Sequence, residues 1–138
     1  MPEIDHELKI SASPQAVVAA LSTPEGLRAW HTPNATGSGE VGTEWILPYA
    51  DHPEFAWEIV SADSEAIVWR CTRGPGDSVG TTATFTVETV GTRTLLTVRH
   101  AGWPGTHGNF RKCNTTWAVL LHHLRDYVET GNAATAFE

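Results

Sequence analysis

The stretch NFRKCNTTWAVLLHHLRDYVETG, Asn109 to Gly131, decides the fold. Phe110, Cys113, Trp117, Leu120, Leu121, Leu124 and Val128 recur at spacings of three and four, the period of one broad apolar stripe on an α-helix. Gly131 supplies the left-handed residue that commonly ends such a helix. At ~1.5 Å per residue, a helix of about 20 residues is ~30 Å long, the width of a small domain. A stripe of that length needs an apolar surface of equal length to lie on, and the chain before it offers mostly short strands. The expected picture is one long helix gripped by a curved sheet, with room for a pocket between them.

The strands announce themselves by alternation. Ile4, His6, Leu8 and Ile10 alternate with Asp5, Glu7 and Lys9. Ser13-Pro14 and Thr23-Pro24 each read as an N-cap followed by a first helical position, predicting short helices over Pro14 to Leu21 and Pro24 to Trp30. The first buries Val17, Val18 and Leu21. Pro33 to Gly42 is rich in Gly, Ser, Thr and Asn, which marks a loop with a weak edge strand near Thr36 to Glu40. Thr43 to Tyr49, Phe55 to Ser61, Ala66 to Thr72, Thr81 to Glu88 and Arg93 to Ala101 then alternate, separated by turn residues such as Asp51-His52-Pro53 and Gly74-Pro75-Gly76-Asp77. Connections of hairpin length make an antiparallel sheet of six to seven strands. Asn132 to Glu138 reads as a frayed end.

The 138 residues fit a single domain, 1–138, that can bury a core without staples. Nine basic against 16 acidic side chains give a net charge of -7, which argues against nucleic acid and anionic membranes as partners. No run approaches a transmembrane length, so no membrane insertion is expected. Cys71 and Cys113 show no CxxC spacing and no secretory leader precedes them, so two reduced thiols in a cytoplasmic protein are expected.

The register that gathers aromatic residues on one side turns Trp45, Leu47, Tyr49, Phe55, Trp57, Ile59, Ile67, Trp69, Cys71, Phe85, Val87, Leu96, Val98 and His100 towards the helix. Glu44, Glu58, Arg70, Thr84, Thr97 and Arg99 then face water. Six Trp, four Phe and two Tyr suit a pocket wall as well as a packed core.

Ser13-Pro14, Thr23-Pro24-Glu25-Gly26-Leu27, Trp30, the run His100-Ala101-Gly102-Trp103 and the terminal helix carry a resemblance. Over nearly its whole length the chain resembles the activator-of-heat-shock-ATPase homologue branch of the START-like (SRPBCC), or polyketide-cyclase-like, superfamily. The resemblance implies an α+β helix-grip fold, an antiparallel sheet wrapped around the C-terminal helix with two small helices closing one end. It also implies a cavity of the kind that holds lipids, hormones or polyketides. The chain departs from family habit at His31, where many relatives carry a second aromatic, and at Cys113-Asn114 ahead of Trp117. The family shares no catalytic constellation, so membership leaves the reaction open.

Motifs add mostly exclusions. There is no Gly-rich phosphate loop, GxSxG elbow or HExxH, and no cofactor is expected. His122 and His123 are adjacent and point about 100° apart on a helix, while His31, His52 and His107 fall in predicted loops without ligand spacing, so no metal site is expected. His100 faces inward beside Trp103 and is either a satisfied buried histidine or a ligand hydrogen-bonder or general base. Asn114 and Tyr49 are the other candidate polar groups. The candidate binding residues are Tyr49, Trp57, Trp69, Phe85, His100, Trp103, Asn114, Trp117 and Leu121. No catalytic residue is nominated.

Three functions fit these residues. The first is a binder of a small hydrophobic or aromatic molecule, as monomer or homodimer. The second is a cyclase- or hydratase-type enzyme using His100 or Tyr49 as acid or base. The third, which the family name implies, is a stress-response accessory that contacts a chaperone through an outer surface. A perturbed buried histidine would favour the enzyme and an exposed apolar patch the partner protein.

Overall fold

The computed structural model describes residues 2–50 and 52–137. Strand β1 (Ile4–Ile10) leads into helices α1 (Pro14–Ser22) and α2 (Pro24–Trp30). Five strands follow, β2 (Glu44–Tyr49), β3 (His52–Ala62), β4 (Ala66–Arg73), β5 (Thr82–Val90) and β6 (Arg93–Ala101), before helix α3 (Asn109–Thr130). They form one antiparallel sheet in the order β1-β6-β5-β4-β3-β2. The helix-grip architecture is therefore present. The expected seventh strand reduces to a single bridge between Thr36 and Ile46, because Gly37, at φ 142°, turns the chain away after one residue. His52 opens β3 instead of lying in a turn, and Asp51 of that turn lies outside the described residues.

Register shifts in β3, between Ala56 and Trp57 and between Ile59 and Ser61, bend the strand, and the sheet curves around α3. All the sheet side chains expected to face the helix are buried except Tyr49 and Phe55, which are half-buried, as is Val18 of α1, also expected inside. On α3, Trp117, Leu120, Leu121 and Leu124 are buried, while Phe110, Cys113 and Val128 pack at the stripe's edges. Gly131, at φ 79°, closes the helix with its N–H on the Tyr127 carbonyl. Outside, Arg70 pairs with Glu58 at 2.6 Å across β3 and β4.

The corner between α1 and α2 is built as its capping signals predict. Ser13 Oγ accepts from the Ala16 N–H and Thr23 Oγ1 from the Gly26 N–H. Trp30 is wholly buried, and its indole N–H donates to the Ala20 carbonyl at 2.8 Å. Gly26 lets the two helices meet: a Cβ there would stand 2.5 Å from the Ala20 carbonyl oxygen and 2.8 Å from its Cα. Neither backbone atom can swing aside. Gly26→Ala is expected to lower the unfolding free energy by about 2 kcal/mol, read from urea denaturation. Unchanged stability would mean that the corner opens without strain.

The residues after Gly131 are not frayed as expected. The Ala136 and Phe137 N–H groups donate to the Trp30 and His31 carbonyls, each at 3.1 Å. His123 Nδ1 donates to the Ala134 carbonyl at 2.6 Å. Backbone partners, which hydropathy patterns do not report, hold this segment against the end of α2. Glu138 lies outside the described residues.

Candidate ligand-binding site

A cavity of about 610 Å³ opens between the β2–β3 side of the sheet, the first half of α3 and the C-terminal segment. The α3 residues on its wall are Asn109, Lys112, Cys113, Thr115, Thr116, Trp117 and Leu120. From Asn109 to Leu120 they run ~16 Å along the helix, so the space is elongated. The sheet contributes Tyr49, Phe55, Trp57 and His100, and Phe137 closes the end beside His31. Its rings touch in sequence: Phe55 stacks on Trp57 at 6.0 Å, Tyr49 lies edge-on to Phe55, and Phe137 tilts over Tyr49 at 4.6 Å.

Of the residues nominated from sequence, Tyr49, Trp57, His100 and Trp117 are brought together on this wall. Trp69 and Phe85 stand one layer behind: Trp69 packs edge-on to Phe85, which packs edge-on to Trp117. Trp103 is wholly buried against His100 and Phe110, and Leu121 is buried away from the cavity. Asn114 is exposed on the other flank of α3, where its Oδ1 meets His6 Nε2 of β1 at 2.9 Å. One position separates it from Cys113, a rotation of about 100° that carries it off the wall.

His100 resolves between the two roles left open for it. The Trp117 indole N–H donates to its Nδ1 at 3.0 Å, so the neutral ring carries its proton on Nε2. Nε2–H points at Thr81 Oγ1, 2.7 Å away, and that hydroxyl donates to the Ser78 carbonyl at 2.6 Å. Both nitrogens are engaged, and burial lowers the pKa to about 4. A ring with its lone pair already taken is a support for Trp117 rather than a free base.

His31 is the residue that sequence reasoning placed in a loop. It caps α2, is 3% exposed, and stacks on Tyr49 with its ring centre 6.0 Å away. Burial lowers its pKa to about 3, and Nδ1 has no hydrogen-bond partner among the described residues. Burial, followed by the neighbouring Cys113 and Cys71 thiols, raises the Tyr49 pKa, so its hydroxyl stays protonated. Burial likewise pushes the Cys113 thiol up to about 12, and both cysteines are free. The inner end of the cavity is thus aromatic and uncharged. Among the described residues no group of three or more His, Cys, Asp or Glu could hold a metal ion.

Phe55, Cys113 and Leu120 could have been nominated, since all three lay on faces already assigned inward. Lys112 and Phe137 gave no such signal, one being a charged neighbour of the stripe and the other part of a tail without periodicity.

The model of the Activator of Hsp90 ATPase homolog 1-like protein family matches residues 11–129. The chain belongs to this family. Among solved structures, the family member is similar to the Aha1 dimer from Colwellia psychrerythraea, at 30% identity over 95% of this chain and 98% of that one, with a TM-score of 0.87. A putative protein of the dynemicin biosynthetic locus shares the fold at 19% identity and TM-score 0.78, with 95% of this chain covering 48% of that one. CalU16 from Micromonospora echinospora does so at 15% identity and TM-score 0.77, over 96% of this chain and 76% of that one. No curated protein matches the chain. None of the described helices is long and apolar enough to cross a membrane.

Proposed function

We propose that this family member holds a small hydrophobic or aromatic molecule between the sheet and α3. The observation that carries the reading is the cavity itself, about 610 Å³ within the usual size range of small-molecule sites and walled by the rings of Tyr49, Phe55, Trp57, Trp117 and Phe137, with Asn109, Lys112, Thr115 and Thr116 adding polar groups along α3. The acid–base alternative is weaker on the same wall. His100 has no free nitrogen, and a Tyr49 hydroxyl with its pKa raised is a poor proton donor or acceptor near neutral pH. The chaperone alternative called for an exposed apolar patch, whereas Val41, Val60, Val79, Val90 and Val119, the exposed large apolar residues among those described, lie on five different segments. The free thiols Cys71 and Cys113 favour a reducing compartment such as the cytoplasm. The dimeric Colwellia relative makes a homodimer the assembly to test first.

Titration with 2-naphthol, a neutral aromatic probe, should quench the intrinsic tryptophan emission in a saturable way, because Trp57 and Trp117 border the cavity. A linear, non-saturating response would overturn the binding reading.

A further inference from the structure

The chain carries 16 acidic and nine basic side chains, yet among the described residues the cavity wall has no carboxylate and one full charge, the ammonium of Lys112. Lys112 is exposed, as are Thr115 and Pro53, so these three mark the rim. No ion pair among the described residues involves Lys112. Inward from the rim the wall changes character: rings first, then the neutral pair His31 and Tyr49 under Phe137. A charged group at that inner end would lose its hydration and gain no counter-charge. A charge at the rim keeps part of its water.

Aromatic walls also suit cations, through the negative faces of their rings. Here the sign of the one fixed charge among the described wall residues opposes that, since a cation would meet the Lys112 ammonium, while the Asp77 carboxylate stands behind the wall, taken up by Asn109 Nδ2 at 3.0 Å. Lys112 and Leu120 lie ~12 Å apart along the helix, room for a molecule of two or three fused rings.

We propose that the cavity selects a planar aromatic carboxylic acid, with rings among Phe55, Trp57 and Trp117 and the carboxylate paired with Lys112 Nζ at the rim. The inference rests on the binding reading above and adds charge and orientation to it. A partly hydrated ion pair of this kind is worth about three- to tenfold in affinity.

The test compares 2-naphthoic acid, its neutral amide 2-naphthamide and the cation 2-naphthylmethylammonium, by tryptophan quenching and calorimetry at pH 7.5 and low salt. The acid should bind three- to tenfold tighter than the amide, and the cation most weakly. Lys112→Gln should close the gap between acid and amide by weakening the acid three- to tenfold, Lys112→Arg should keep the gap, and added salt should narrow it. An amide that matches the acid in the wild type, or an acid preference that survives in Lys112→Gln, overturns the proposal and leaves the binding reading standing. A cation that binds tightest assigns the wall to cation recognition instead and overturns it too. If none of the three probes binds, the binding reading falls and this inference falls with it.

Discussion

Trp117→Ala should lower the unfolding free energy by about 3 kcal/mol and change aromatic-probe affinity several-fold. Deleting a well-packed buried aromatic removes about 3 to 5 kcal/mol. Trp117 is 4% exposed and packs edge-on to Phe85, but one side of its ring borders the open cavity, so fewer atoms lose contacts. Against that, the substitution strips His100 Nδ1 of its donor, an orphaned buried acceptor that adds about 1 kcal/mol or more. The missing contacts on the open side outweigh the orphaned acceptor, which leaves the low end of the range. Trp117→Phe shifts the balance between them: it keeps one six-membered aromatic ring, loses the N–H with the rest of the indole, and should lower stability by about 1 to 2 kcal/mol. Urea denaturation of both variants reads these values. A loss below 1 kcal/mol in Trp117→Ala would mean that the ring is not held in the grip.

The second large effect is an acid loss of stability set by two neutral histidines. In the unfolded chain both imidazoles titrate near 6.5, whereas burial holds His100 at about 4 and His31 at about 3 in the fold. Above pH ~6.5 neither state binds these protons and their contribution is complete. Below it the unfolded chain takes up protons that the native rings refuse, so each histidine removes up to about 1.4 kcal/mol per pH unit until its folded pKa is reached. Between pH 6.5 and pH 5 the pair should lower stability by about 2 to 4 kcal/mol. Denaturant midpoints at pH 7, 6 and 5 test this, and His31→Phe should remove roughly half of the slope. A flat profile down to pH 5 would show that the rings are already charged or exposed in the native protein.

The parts of this fold that were legible in the sequence are those written as period and punctuation. The α3 stripe, the strand alternation and the Ser13-Pro14 and Thr23-Pro24 caps each repeat a local rule, and the structure follows them to within a residue or two at most ends. The site was less legible because a cavity is a missing volume, and alternation cannot tell a ring with space before it from a ring with another ring before it. Trp69 and Trp57 sit in the same inward register on neighbouring strands, yet only Trp57 reaches the open space. Asn114 failed by the angle of one helical step, which the side of α3 facing β1 decides. His31 and Phe137 meet through backbone hydrogen bonds between distant segments, and no sequence period encodes those.

The bonds from Ala136 and Phe137 to the end of α2 also bear on the order of assembly. Their partners are about a hundred positions apart in the chain, among the most non-local contacts such a domain makes, and closing so long a loop early in folding is slow. On a ribosome, the sheet and the α1–α2 corner emerge well before Phe137, so they have time to form while one end of the cavity is still open. A hydrophobic molecule met at that stage would be enclosed as Ala136 and Phe137 dock on α2, without passing the rim at all.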